Sequence, residues 1–127
     1  MYVGGCIFVD HMCNYIHIEH QLGFSSSETI RAKQIFEKLA LGHGVLADSY
    51  LADNGVFKAN QFVSHIRTKN HKLQFCGVNA HHKNASAERS IRMVSECARS
   101  LLLHALLRWK TGIKRNLWPF AGLLCCL

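Results

Sequence analysis

Residues 6–10, Cys6-Ile7-Phe8-Val9-Asp10, form a short apolar run that ends in a carboxylate. A run of this kind is typical of a buried strand. Residues 14–20 alternate polar and apolar side chains, as a half-exposed strand does, and they follow closely enough to form an antiparallel hairpin around residues 11–13. We therefore expect the chain to begin with a β-hairpin, to which Gln21 to Phe24 adds a short third strand.

A helix and another strand follow the hairpin. Ser25 and Glu28 fit a capping box. The next apolar residues share one face at helical spacing, namely Ala32, Ile35, Phe36, Leu39 and Ala40. Gly42 and Gly44 are natural stop signals for this helix. Because a helix connects the two strands, we expect the strand Tyr50-Leu51-Ala52 to run parallel to the first one.

The second half of the chain alternates helix, strand and helix. Its pattern predicts a helix from Asn60, as the cap, to about Asn70, a short strand from Lys72 to Cys76, and a long helix from Ser86, as the cap, to about Lys110. A polar, His-rich loop, residues 77–85, precedes the long helix, and Trp118-Pro119-Phe120 is typical of a turn. This order of elements predicts a mixed α/β domain with helices packed on a sheet.

Three acidic side chains stand at the ends of these elements. Asp10 and Asp53 each end a predicted strand, and Glu88 lies in the first turn of the long helix. Ligand sites in open α/β sheets tend to lie off the carboxyl ends of strands, and converging carboxylates repel each other unless a cation lies between them. Together the three acids predict a divalent-metal site for phosphoryl transfer. Considered alone, each of these acids could as well be a structural cap or simply an exposed residue without a function.

Charge divides the chain into two unlike halves. The 127 residues are 49% hydrophobic, which suits a single small domain, and the net charge is +7. Residues 1–57 carry a balance of −3, whereas residues 58–127 carry +10. Glu88 is one of the two acids in the basic half. A carboxylate within a cationic field fits a site that receives a polyanion, and a solvated basic face fits the composition equally well.

The cysteines and apolar runs bear on the compartment. Six cysteines occur without a Cys-x-x-Cys pair, so we expect buried thiols, Cys97 among them, in a reducing, intracellular compartment. The amino terminus lacks the pattern of a signal peptide, and no apolar run is long enough to span a membrane. Leu101 to Leu107 is interpreted as a buried helix face, and Trp109 and Trp118 as core residues.

Three segments of the chain together resemble the integrase catalytic core of copia-type retrotransposons, within the ribonuclease-H-like integrase and transposase superfamily. They are Phe8-Val9-Asp10, Leu51-Ala52-Asp53-Asn54-Gly55 and Asn84-Ala85-Ser86-Ala87-Glu88-Arg89, and 34 residues lie between Asp53 and Glu88. Leu117-Trp118-Pro119 is similar to a segment that commonly follows the family's long helix. Ala85 and Ser86 depart from the Gly and Val that the family usually has there.

We assign residues 1–120 to a truncated core-like domain and residues 121–127 to a tail that does not match the family and is not expected to be helical.

This resemblance implies a ribonuclease-H-like mixed sheet of about five strands flanked by helices. It implies that Asp10, Asp53 and Glu88 bind two Mg²⁺ or Mn²⁺ ions. The implied partners are the DNA ends of the element and the target DNA. The family trims the element ends by hydrolysis and joins the exposed 3′-hydroxyl to the target, and its full-length members act in the nucleus as homo-oligomers. We interpret the chain as a fragment of such an element, and as a decayed copy if the changes before Glu88 stop turnover.

The loop and the first turns of the long helix supply the candidate nucleic-acid contacts, which are His81, His82, Lys83, Asn84, Arg89 and Arg92. It is equally consistent with the sequence that the two histidines are simply exposed loop residues. Arg92 is equally well placed to form an ion pair with Glu88 or Glu96, at helical spacing. Two other functions stay open, namely a non-catalytic nucleic-acid-binding remnant of the same fold and a ribonuclease-H-like nuclease. Structural zinc is not favoured, because no Cys pair has the required spacing.

Overall fold

Eight regular elements follow one another along the chain. The computed structural model describes residues 1–77, 84–109, 112 and 114–126, except for the side chain of Arg115. The strands and helices are, in order, β1 (Gly4–Val9), β2 (Ile16–Gln21), α1 (Ser26–Gly42), β3 (Ser49–Ala52), α2 (Asn60–Thr68), β4 (Lys72–Phe75), α3 (Ala85–Arg108) and α4 (Trp118–Leu124). Short 3₁₀ turns occur at Val56–Lys58 and Arg115–Leu117. Apart from the expected third strand, the order of elements is therefore confirmed up to α3.

The first two strands form the expected antiparallel hairpin. Their register runs from the Gly4–Gln21 pair to the Val9–Ile16 pair. Asn14 closes the turn in the left-handed region, with φ of 58°, which its short polar side chain tolerates better than most. The expected third strand is absent, because residues 22–24 bend away after β2. Phe24 instead lies over Gly4, where an added Cβ atom would come within 2.5 Å of its ring.

The second pair of strands is parallel. β3 pairs with β4 from Ser49–Lys72 to Ala52–Phe75, and α2 forms the crossover between them. In the described part of the chain, β3 makes no ladder with β1, and the four strands form two separate two-stranded sheets. The expected pairing of the first strand with Tyr50–Ala52 in one sheet of about five strands is therefore not observed. A cleft lined by side chains of both strands lies between β1 and β3 instead.

Helix α1 packs against both sheets, but only part of the expected face is buried, namely Ala32 and, in part, Phe36 and Ala40. Its buried residues are Thr29, Ala32 and Lys33, whereas Ile35 and Leu39 are exposed. A lysine can occupy this face because acceptors meet its ammonium group inside the protein. Ser25 caps the helix as expected and accepts a hydrogen bond from the Glu28 amide. The reciprocal half of the box is missing, because Glu28 Oε2 accepts from the Leu22 amide instead.

Two helix starts also differ from expectation. Helix α2 begins at Asn60 itself, and its N-cap position is Ala59 without a side-chain hydrogen bond. Helix α3 begins at Ala85 after Asn84, so Ser86 lies inside the helix, where its carbonyl accepts from the Ser90 hydroxyl. Neither expected cap is formed, because each helix begins earlier in the chain than the sequence pattern indicated.

The carboxyl-terminal region differs most from the sequence-based expectation. Residues 118–120 begin helix α4 instead of forming a turn, and this helix continues to Leu124; Pro119 in its first turn is compatible with a helix start.

Cys97 of α3 is not a free thiol but is bonded to Cys125, with 6.1 Å between the Cα atoms. The expected buried face of α3 is exposed at Leu101, Leu103, Leu106 and Leu107, and Trp109 is exposed as well. Leu101, Leu107 and Trp109 line an open groove beside helix α4. Within the described ranges, no helix combines the length and apolar character that a membrane span requires.

Candidate catalytic site

Asp10 stands where β1 ends and stabilises the hairpin turn that follows. Its Oδ1 accepts a hydrogen bond from the Met12 amide at 2.9 Å, and its Oδ2 accepts from the Cys13 thiol at 2.9 Å. These donors, first the thiol and then the amide, lower the pKa of the Asp10 carboxyl. Asp10 is therefore ionised at neutral pH and is presented at the carboxyl end of its strand.

Asp53 occupies the equivalent place after β3. It is exposed, and its Oδ1 accepts a hydrogen bond from the Gly55 amide at 3.1 Å. A Cβ atom at position 55 would lie 3.2 Å from the same oxygen, so glycine gives the carboxylate room. The neighbouring Asn54 side chain donates to the Cys76 carbonyl at 2.9 Å and so ties this turn to the end of β4. Both predicted strand-end aspartates therefore lie at carboxyl ends of strands.

Burial, followed by the negative charges of Asp53 and Glu19, raises the pKa of the Cys6 thiol to about 12. Cys6 lies in the middle of β1, and residues 5–8 of this strand line the same cleft as Asp53. The two sheets are therefore adjacent at the cleft, although no backbone ladder joins them in the described part of the chain.

Glu88 lies in the first turn of α3, as expected, and it is exposed. The positive end of the helix dipole favours a carboxylate at this position. Helix α3 packs against β1, which brings its first turns to the same side of the domain as the first sheet. Glu88 makes no hydrogen bond or ion pair with another residue of the described ranges.

A cleft of about 270 Å³ connects these elements. Its walls include residues 5–8 of β1, residues 50–53 at the end of β3, and the start of α3 through Asn84, Ala87 and Ile91. Asp10 and Glu88 are not among its lining residues. Over the described part of the chain, no group of three His, Cys, Asp or Glu side chains is close enough to hold a metal ion. The cleft thus brings together β1, β3 and the start of α3, the elements that precede or contain the three acids. The three carboxylates themselves do not form one group.

The candidate nucleic-acid contacts are described only in part. His81, His82 and Lys83 lie outside the described residues. Asn84 is half-buried and lines the cleft. Arg89 and Arg92 are exposed on α3, and the expected alternative for Arg92, an ion pair with Glu88 or Glu96, does not form. Both guanidinium groups are therefore accessible to an anionic ligand.

The sequence patterns did not predict a buried polar network that lies beside the cleft. The Lys33 side chain is 1% exposed, and its Nζ lies 2.5 Å from Glu37 Oε1 and 3.2 Å from His71 Nδ1. The Tyr50 hydroxyl donates to the same Glu37 oxygen at 2.6 Å. Lys33 and Tyr50 also line the cleft. The spacing of Lys33 and Glu37, four residues apart on one helix, is the signal that would have indicated this pair.

Comparison with known proteins bears on the fold. No protein-family model matches the sequence, and neither does any curated protein. Two structures of the HTLV-2 integrase catalytic core domain in complex with magnesium are similar to this chain. The trimeric form is 17% identical, with a TM-score of 0.65 over 96% of this chain and 71% of that one. The dimeric form is 19% identical, with a TM-score of 0.58 over 93% and 72%. At these identities the likeness establishes the architecture, and the chain therefore has the mixed α/β fold of a retroviral integrase catalytic core.

Proposed function

We propose that this chain is the catalytic core of a copia-type retrotransposon integrase, whose ancestral reaction is DNA strand transfer through Asp10, Asp53 and Glu88. One observation carries the proposal. The cleft between β1 and β3 has Asp53 on one wall and the first turns of α3 on another, and β1 leads directly to Asp10. The similarity of the fold to an integrase catalytic core domain supports the same assignment.

The donor set suits a hard divalent cation. Carboxylate oxygens are the ligands that Mg²⁺ and Mn²⁺ prefer, and the HTLV-2 cores were solved with magnesium. We propose that Asp10, Asp53 and Glu88 hold two such ions when DNA is bound. The ions would activate the attacking oxygen and stabilise the leaving one. In the described residues the three acids do not form a prepared group, so ligand binding has to gather them.

The residues of the chain have distinct tasks in this proposal. Asp10 exchanges its hydrogen bonds to Met12 and Cys13 for the cation, and Asp53 stays oriented by the Gly55 amide. Arg89 and Arg92 contact DNA phosphates along the exposed side of α3. Asn84, at the N-cap position of α3, contacts the DNA strand that enters the cleft. His81, His82 and Lys83 belong to the same proposed DNA surface.

The remaining assignments follow from the same family. DNA ends of the element and target DNA are the proposed partners, and the nucleus is the proposed compartment. The HTLV-2 cores were solved in dimeric and trimeric forms, so we propose that a full-length protein containing this domain forms homo-oligomers. A non-catalytic DNA-binding remnant is the second candidate, because no prepared metal group occurs in the described ranges and yet residues 58–127 carry a balance of +10.

Metal-dependent DNA nicking tests the catalytic assignment. The wild-type chain should nick supercoiled plasmid in Mn²⁺, and a chelator should stop the reaction. Asp10→Asn, Asp53→Asn and Glu88→Gln should each lower the rate at least about 100-fold, because the ligand set controls metal-ion catalysis. Asp48→Asn is the matched control, since Asp48 is exposed just before β3. Equal heats of Mn²⁺ binding to the wild type and Asp53→Asn would remove Asp53 from the ligand set.

DNA affinity measured against salt concentration separates the two candidates. For the double variant Arg89→Ala and Arg92→Ala, we expect the slope of log affinity against log salt to become less steep by about 2. Lys38→Ala on α1 is the control, and its slope should equal that of the wild type. Salt-dependent DNA binding by a wild type that nicks nothing in Mg²⁺ or Mn²⁺ would favour the remnant.

A further inference from the structure

A second cavity lies in the carboxyl-terminal part of the chain, and none of the three carboxylates lines it. It is a groove of about 910 Å³ between the carboxyl-terminal half of α3 and helix α4. Its lining is mainly apolar and includes Leu101, Leu107, Trp109, Leu117, Phe120 and Leu124. Leu107 is 78% exposed, and Trp109 and Phe120 are each 62% exposed. An exposed apolar surface of this extent marks an interaction site more often than a solvated face.

Covalent and polar contacts hold the two walls of the groove in place. Residues 109–117 connect the helices at one end, and the Cys97–Cys125 bond joins them near the other. On its other side, α4 rests on the first sheet, where His20 Nε2 lies 2.9 Å from the Pro119 carbonyl oxygen. Pro119, Ala121 and Gly122 of α4 are buried. The groove is therefore formed before a ligand arrives, which lowers the entropic cost of binding.

The charge around the groove is of one sign. Arg108 and Lys114 line it, and no acidic residue does so among the positions described. The sequence extends this observation, because residues 97–127 contain five Lys or Arg and no Asp or Glu. A second copy of the chain, docked through the same face, would place these cations against each other. Like-charge contacts of this kind act against such a dimer.

We propose that this groove binds an amphipathic helix with acidic residues along the edges of its apolar face. The concave lining would take leucine or aromatic side chains at positions i, i+3, i+4 and i+7 of the partner helix. Arg108 and Lys114 would pair with carboxylates at the edges. An anionic membrane surface also attracts apolar and basic residues. The observations favour the helix, because the apolar side chains line a recess between two fixed walls and do not project from one convex face.

Fluorescence anisotropy with labelled synthetic peptides tests this proposal. The probe is a peptide of about 18 residues, five helical turns, with leucines on one face and glutamates beside them. The matched control carries lysine at every glutamate position, and a second control has the glutamate peptide's composition in scrambled order. The full chain should bind the glutamate peptide at least about tenfold more tightly than either control, because one lacks the charge and the other lacks the apolar face.

Two surface variants locate the binding site without disturbing the core. Leu107→Ser should weaken glutamate-peptide binding about tenfold. Reversal of both cations, Arg108→Glu with Lys114→Glu, should make the lysine peptide the tighter ligand. Circular dichroism confirms folding, and both changes lie at exposed positions. Equal affinity for the two charged peptides would overturn the proposal. Tighter binding to phosphatidylserine-containing vesicles than to the glutamate peptide would also overturn it, as would a wild-type dimer that Leu107→Ser dissociates.

Discussion

Each of the two small sheets carries one of the two proposed catalytic aspartates, but different interactions stabilise the two sheets. The sheet of β1 and β2 is a hairpin whose partners are close in sequence and whose turn is closed by Asp10 and Asn14. The sheet of β3 and β4 is parallel, and α2 separates its strands. Helix α1 supports this second sheet through Glu37, which accepts from Tyr50 of β3 and pairs with Lys33. Asp10 therefore depends on local structure, whereas Asp53 depends on a buried network from another element.

This contrast matters for the proposed site, because the cleft lies between the two sheets. A change that loosens only one sheet moves only one of the two aspartates. Helix α1 contacts both sheets. Its Phe36 stacks on Phe8 of β1 with ring centroids 4.6 Å apart, and its Lys33 and Glu37 contact Tyr50 of β3. The following substitutions separate these contributions.

The largest effect is expected for Glu37→Gln. The change leaves the buried Lys33 ammonium without its counter-charge, so we expect the free energy of unfolding to fall by about 3 kcal/mol. Glu28→Gln on the same helix is the control, because its partner Arg31 is partly exposed, and it should cost under about 1 kcal/mol. Amide hydrogen exchange should show the loss of protection in β3 and β4 first. Equal loss in β1 and β2 would contradict the distinction between the sheets.

Acidification should produce a smaller effect of the same origin. Burial opposes ionisation of Glu37, but hydrogen bonds from Lys33 and Tyr50 outweigh it and lower the pKa of Glu37 below its ordinary value of 4.5. Because the folded pKa is depressed, this stabilisation is present above 4.5 and is lost as pH falls through the lower, folded value. The difference in unfolding free energy between wild type and Glu37→Gln should shrink in urea titrations over that range. A constant difference would contradict the assignment.

The turn of the first sheet should respond to substitution of Asn14. Its φ of 58° is unfavourable for alanine, so Asn14→Ala should lower the free energy of unfolding by about 1–2 kcal/mol. Asn14→Gly, which adopts this conformation freely, should leave stability within about 0.5 kcal/mol of the wild type. Exchange protection should decrease in β1 and β2 and stay unchanged in β3 and β4. The opposite distribution would refute a locally held hairpin.

The smallest effect is expected at the cap of the shared helix. Ser25→Ala removes the acceptor of the Glu28 amide and should cost about 1 kcal/mol. Because α1 packs on both sheets, exchange protection should fall in all four strands by a similar factor. Gln34→Ala is the control, since Gln34 is exposed on the same helix and its side chain makes no hydrogen bond in the described structure. Selective loss in one sheet would show that α1 does not act as the common support.

Local patterns predicted most of the elements. The alternation of residues 14–20, the cap at Ser25 and the helical spacing of residues 60–70 and 86–110 all correspond to observed strands and helices. The same patterns placed Asp10 and Asp53 after strands and Glu88 in a first helical turn. Such features depend on hydrogen bonds between residues near in sequence, and for that reason a short window of residues contains the necessary information.

The arrangement of those elements could not be obtained in this way. Nothing near Lys33 in sequence indicates that Tyr50 and His71 would surround it and bury it. The split into two sheets, the Cys97–Cys125 bond and the exposed leucines of α3 likewise depend on which elements meet. Residue order sets strands, helices and the placement of acids at their ends, because these follow from neighbouring side chains. The burial of a charge, the cleft between the sheets and the open groove arise from contacts between distant segments, whose energies no local pattern contains.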